Sequence, residues 1–270
     1  MADDHLSDFE PTTFAHGGQQ RATYRIGTGP AVIVIAELPG ITPKVADLGR
    51  RIASIGCTAV LPHLFGVPGK DPTGGGRLSS LAYGLSSVVP ACISREFTTW
   101  ATNRTSPIVT WLRALAGHEH ERCGGPGVGA IGMCFTGGFA LAMATHPSLL
   151  VPVLSQPSLP FAVTRAQRRS IDCAPSELDV VAERGAVEGL QVLGLRFRGD
   201  RLVPAERFEL LRRRLGEAFV AVELPDESAN PQGAMKPHSV LTEHLIDEPG
   251  EPTTAALEQV LDLLRHRLLT

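Results

Sequence analysis

The chain has 270 residues, 43% hydrophobic and 20% charged, enough apolar content for a substantial buried core. A formal net charge of −3 argues against a nucleic-acid binder or a polybasic membrane-surface protein. No apolar run approaches the roughly 20 residues that span a bilayer, and the acidic start "MADDHLSDFE" is unlike a secretory leader. Five scattered cysteines (57, 92, 123, 134 and 173), with no CxxC pair, suit free thiols in a reducing cytoplasm. The expectation is a cytoplasmic protein, a single domain over residues 1–270, with neither nucleic acid nor membrane as partner.

In chain order, "AVIVIA" (31–36) is a continuous β-branched run, as expected of a strand buried on both faces. Val45, Leu48, Ile52 and Ile55 then recur at helical spacing, with Gly56 as the stop. Further strands are expected at 57–62, 127–133, 149–155, 189–199 and 218–225, and helices at 134–145, 205–215 and 253–269. Alternating strands and helices predict an α/β fold with a mostly parallel sheet covered on both faces. The interval 66–125 breaks the alternation. It carries Tyr83, Trp100 and "CISREF" (92–97), and it reads either as a surface insertion or as a lid over the carboxyl ends of the strands. Within it, Ser106 as cap, Pro107 at the first helical position and Gly117 beyond the end predict a helix.

The segment "GVGAIGMCFTGGFALAMATH" (127–146) turns abruptly from strand to helix at Cys134. In an open parallel sheet the carboxyl ends of the strands converge on the ligand crevice, and a helix start there favours negative charge. Gly132 and Thr136, two residues either side of Cys134, keep a sharp elbow uncrowded, and Gly137 and Gly138 let the helix pack closely. The pattern is that of a nucleophile elbow with Cys for Ser and Thr136 for the second Gly. A buried structural cysteine is the competing reading.

A nucleophile of this kind needs a base, and the base needs an orienting acid, each on a later loop. Asp200 follows the strand "QVLGLRFRG", where it can orient an imidazole or simply cap a turn. Beyond the last strand, "DESANPQGAMKPHSVLTEHL" offers His238 in the loop and His244 in a helix-like stretch; His238 is the choice for the base and His244 the runner-up. His118, His120 and His146 fall at helix ends, where they compensate the dipole. Glu37 is an acid stranded at the end of a buried strand, costly without partners and typical of functional carboxylates.

"AELPG" (36–40), "GMCFTGG" (132–138), "GDRLVP" (199–204) and "PHS" (237–239) together resemble the dienelactone hydrolase family of α/β-hydrolases, over most of the chain from residue 31. The resemblance implies an α/β-hydrolase fold with Cys134 as nucleophile, His238 as base and Asp200 as its orienter. It implies that Glu37 hydrogen-bonds the resting thiol, and that the backbone N–H groups of Leu38 and Phe135 form the oxyanion hole. It also implies arginines gripping a substrate carboxylate. Arg95 and Arg104 are candidates for the first of these, or else form surface salt bridges. After His238 no arginine follows until Arg265, so the second is missing.

The chemistry implied is hydrolysis of a small-molecule carboxylic ester or lactone through an acyl-thioester, without metal or organic cofactor. A thiolate attacks well but also leaves readily, so substrates with good leaving groups such as enol-lactones suit it, and amides do not. Two other readings stand beside it: a catalytically silent binding protein on the same fold, and a thiol redox sensor, the latter without a resolving cysteine near Cys134.

Overall fold

The apolar runs of the sequence form the middle of one sheet. The computed structural model describes residues 2–74, 97, 104–159, 164–233 and 235–270. The strands among them are β1 (Glu10–His16), β2 (Gln19–Gly27), β3 (Ala31–Ile35), β4 (Thr58–Pro62), β5 (Val128–Met133), β6 (Leu149–Ser155), β7 (Val192–Phe197) and β8 (Phe219–Leu224). Their order is β1-β2-β4-β3-β5-β6-β7-β8. From β4 to β8 each neighbouring pair is parallel; β2 runs antiparallel to both β1 and β4. β3 and β5 lie at the centre, so the loops at their carboxyl ends open beside one another, as the topology of a doubly covered sheet requires.

The helices are α1 (Pro43–Ser54), α2 (Ile108–Cys123), α3 (Gly137–Met143), α4 (Arg165–Arg168), α5 (Pro175–Glu188), α6 (Ala205–Leu215) and α7 (Pro252–Leu268). Successive strand side chains point to opposite faces, so each central strand feeds two apolar layers. Ile33 and Ile35 join Leu112, Phe139, Val181 and Phe208, from α2, α3, α5 and α6, on one face. Val32 and Val34 join Val45, Ile52, Val260 and Leu264, from α1 and α7, on the other. Such double burial is why these strands read as unbroken hydrophobic runs. No helix of the described residues is long and apolar enough to cross a membrane.

Several elements depart from the sequence reading. α2 does not stop at Gly117 but continues to Cys123 and ends at Gly124, whose φ is 69°. The extra turn carries Glu119, fully buried and ion-paired with Arg25 of β2 and with Arg122. Those contacts outweigh the roughly 1 kcal/mol that a mid-helix glycine costs. Ser106 does not cap α2 with its side chain; its hydroxyl and N–H both bond to Asp172. The region expected as one helix from Cys134 is a 3-10 turn (Cys134–Thr136) followed by α3. β1, β2 and α5 were not anticipated. Of the 66–125 interval, Tyr83, Trp100 and most of "CISREF" lie outside the described residues.

Candidate active site

Cys134 stands at the carboxyl end of β5 with φ 57°, in the left-handed region that a non-glycine residue adopts only under constraint. Two features impose the constraint. A Cβ at Gly132 would lie 2.2 Å from the Thr136 carbonyl oxygen, so only glycine lets the chain double back there. The Thr136 side chain, fully buried, accepts from Met133 N–H at 2.8 Å and donates its one proton within reach of two carbonyls, Ile35 at 2.9 Å and Met133 at 2.8 Å. The threonine that replaces the second elbow glycine therefore ties the turn to the end of β3 rather than crowding it.

Asp200 follows β7 and is buried. Its Oδ1 accepts the Leu202 N–H at 2.9 Å, and its Oδ2 lies 2.6 Å from His238 Nδ1. A nitrogen of the His238 ring, a Glu37 carboxylate oxygen and Cys134 Sγ all lie within 4.8 Å of one another. Nε2, facing away from Asp200, is buried with no hydrogen-bond partner among the described residues. Burial by itself would depress the imidazole; the neighbouring sulfur and the Asp200 hydrogen bond overcome it and hold His238 well above its ordinary value.

His244 lies in a turn, not a helix, and does different work. Its Nδ1 accepts the backbone N–H groups of His238 (3.4 Å) and Ser239 (3.2 Å), while Nε2 donates to the Met235 carbonyl at 3.0 Å. It shapes the loop that carries His238. His118 stacks on Phe14 within the last turns of α2, and His146 bonds to Ser148.

Glu37 sits just beyond β3, and its partners come from two loops, the one that carries His238 and the one after β6. Oε1 accepts from Thr242 Oγ1 at 2.6 Å, and Oε2 accepts from Ser239 Oγ at 2.7 Å and Gln156 Nε2 at 3.2 Å. The resemblance implies a bond from this carboxylate to the resting thiol. Instead, the hydrogen bond on Cys134 Sγ belongs to Ser158 Oγ, at 3.0 Å. The trio Glu37, Cys134 and His238 is also the grouping of metal-type donors among the described residues; both carboxylate oxygens are already engaged by hydroxyls.

Three residues here escaped the sequence reading. Gln156 (φ 38°) and Ser158 follow β6, and the polar "SQPS" directly after a buried strand is the signal that could have found them. Arg207, fully buried in α6, donates to four carbonyls: Ser170 (2.6 Å), Leu202 (2.8 Å), Pro157 (2.9 Å) and Gln167 (3.0 Å). Burial pushes its guanidinium down to about 10, opposed by the nearby Asp200 carboxylate. It holds the loops of Ser158 and Asp200 together. Beside Asp200 and His238 a cavity of about 550 Å³ is lined by Arg201, Leu202, Met235, Lys236 and Pro237. Leu38 and Phe135 follow Glu37 and Cys134 at adjacent strand ends. Arg104 is exposed ahead of α2, and Arg95 lies outside the described residues.

Residues 20–156 match the profile of the "Dienelactone hydrolase family". The chain belongs to that family. A relative from Escherichia coli (strain K12), named "Putative carboxymethylenebutenolidase", is 24% identical over 202 residues, covering 73% of this chain. The chain spans 65% of that relative's length, just under two thirds. Among solved structures, a dienelactone hydrolase from Anabaena variabilis ATCC 29413 superposes with a TM-score of 0.54 at 14% identity, over 98% of this chain and 100% of that one. A cold-adapted esterase from an Arctic intertidal metagenomic library superposes with a TM-score of 0.59 at 13% identity, over 98% and 97%. At such identities the superpositions establish the fold: this dienelactone hydrolase family member has the α/β-hydrolase architecture.

Proposed function

We propose that the protein hydrolyses small carboxylic esters or lactones through an acyl-thioester on Cys134. One observation carries the reading: His238 is held by Asp200 through Nδ1, its Nε2 is buried without a partner among the described residues, and a nitrogen of its ring lies within 4.8 Å of the Cys134 sulfur. In this mechanism Cys134 attacks the carbonyl as thiolate, with its proton on His238. The carbon–oxygen bond to the leaving group then breaks, and His238 protonates the departing oxygen. Water, losing a proton to His238, attacks the thioester, and the carbon–sulfur bond breaks to return the thiolate. Asp200 keeps the imidazole in one tautomer and offsets its positive charge. The Leu38 and Phe135 N–H groups are suited to the developing oxyanion because each follows a strand end beside the sulfur.

Glu37 acts here through its hydroxyl partners, keeping the His238 loop against β3. Substrates with good leaving groups are preferred, because a tetrahedral intermediate on sulfur otherwise expels the thiolate and reverts. The test compares wild type with Cys134→Ala on aryl esters, enol esters and enol-lactones, each with and without a carboxylate. Turnover of activated esters by wild type alone supports the assignment; equal turnover by Cys134→Ala overturns it.

A further inference from the structure

The carbon–sulfur bond of an acyl-thioester must break with its electron pair moving to sulfur, so a donor aimed at that sulfur favours turnover. We infer that Ser158 is this donor: its hydroxyl stabilises the Cys134 thiolate in the resting enzyme and again as water displaces it. The inference rests on the acyl-thioester reading above and names a residue that neither the elbow motif nor the triad order contains.

Three observations carry it. Ser158 Oγ lies 3.0 Å from Cys134 Sγ, and Ser158 itself is buried. A hydroxyl beside a thiolate can only donate, and such charge-assisted bonds are about twice as strong as neutral ones. Second, Ser158 is held in place independently of that contact. Its N–H donates to the Cys134 carbonyl at 2.9 Å, and the Pro157 carbonyl beside it is fixed by buried Arg207 at 2.9 Å. A Cβ at Gly137 would lie 2.7 Å from Pro157 Cβ, so the elbow and the Ser158 loop pack as one unit. Third, the carboxylate nearest the sulfur is committed elsewhere: both Glu37 oxygens accept from the side chains of Ser239, Thr242 and Gln156. Glu37 is thus engaged as an acceptor on both oxygens, whereas the Ser158 hydroxyl is placed to donate to the sulfur.

The charged and titratable groups around the sulfur come from separate elements: Glu37 beyond β3, Asp200 beyond β7, Arg207 in α6 and His238 beyond β8. Ser158 adds a neutral donor to them. In deacylation the water oxygen–carbon bond forms, the water proton passes to His238 and the sulfur takes the electron pair of the broken bond. The Ser158 hydroxyl donates throughout without losing its proton.

The test is the pH dependence of Cys134 alkylation by iodoacetamide, mapped by mass spectrometry, together with pre-steady-state hydrolysis of an aryl ester. Ser158→Ala is expected to move the alkylation profile about one pH unit upward, the shift that one hydrogen bond to a charge carries. It is also expected to slow deacylation roughly tenfold, so that acyl-enzyme accumulates in a burst. Ser158→Thr, which keeps a hydroxyl, is expected to restore both. Superimposable wild-type and Ser158→Ala profiles, with Glu37→Gln producing the shift instead, overturn the inference alone. A wild-type chain whose Cys134 resists alkylation overturns the acyl-thioester reading and this inference together.

Discussion

Cys57 and Cys134 both stand at ends of buried strands, Cys57 just before β4 at its amino end and Cys134 just after β5 at its carboxyl end. Cys57 follows the carboxyl terminus of α1, whose carbonyls disfavour negative charge, and it is fully buried. Burial pushes its thiol up to about 11, with only Arg265 opposing. Cys134 is half-buried, held in a left-handed conformation, and meets Ser158, His238 and Glu37, each from the loop after a different strand. The same side chain is an inert core filler at one edge of the sheet and a candidate nucleophile at the other. What separates them is which loops converge, because carboxyl-end loops of a parallel sheet share one crevice, whereas among the described residues Cys57 has only burial and Arg265 acting on its thiol.

The comparison breaks most directly by exchanging the thiols. Cys134→Ala should lower kcat on activated esters by at least roughly ten-thousandfold, whereas Cys57→Ala should leave it within about twofold. Comparable losses in steady-state assays of both variants would end the contrast. Asp200→Asn should come next, lowering kcat roughly a hundred- to ten-thousandfold while the fold persists by circular dichroism, since it removes the tautomer lock on His238. Retention of full activity would mean that His238 needs no orienting acid.

A smaller effect tests why the elbow holds its strained conformation. Thr136→Val keeps the shape but deletes the hydroxyl bridging Met133 N–H and Ile35 O, and should cost about 2–3 kcal/mol by urea unfolding, because two buried backbone groups lose a partner. The smallest steady-state effect is expected at Asp172, another acid buried near the carboxyl edge. Burial raises its carboxyl to about 7, with Glu177 adding to the rise and Ser106 opposing it. Between about pH 4 and 7 the folded chain thus holds a proton that the unfolded chain has released, so stability falls as pH rises through that window. Asp172→Asn should remove this slope, a difference on the order of 3 kcal/mol between the window's ends, while kcat stays nearly constant. An unchanged slope in urea midpoints across that range would show that Asp172 is not the group responsible.

Parts of this arrangement were legible in the sequence for identifiable reasons. β3, β5 and β7 are buried on both faces, so each appears as an apolar run whose end marks the crevice, and Glu37, Cys134 and Asp200 lie just past those ends. β1 and β2 carry no such run, because most of their residues are exposed or half-buried in an antiparallel edge ribbon. The overrun of α2 past Gly117 depends on Glu119 meeting Arg25 on β2, separated by 94 positions, which no local spacing reveals. His238 and His244 were separable by loop position, but the work of His244 as an acceptor for two backbone N–H groups became visible only once the loop had folded.

By itself the sequence determined the alternation of strands and helices, the elbow at Cys134 and the chain order of sulfur, acid and imidazole. Those are properties of local periodicity and of residue types at strand ends. Tertiary structure alone decided which groups touch the sulfur, turning Glu37 toward Ser239 and Thr242 and bringing Ser158 to Cys134. Such contacts join residues up to 205 positions apart, and at that separation only packing against a common sheet edge selects among several polar side chains of similar chemistry.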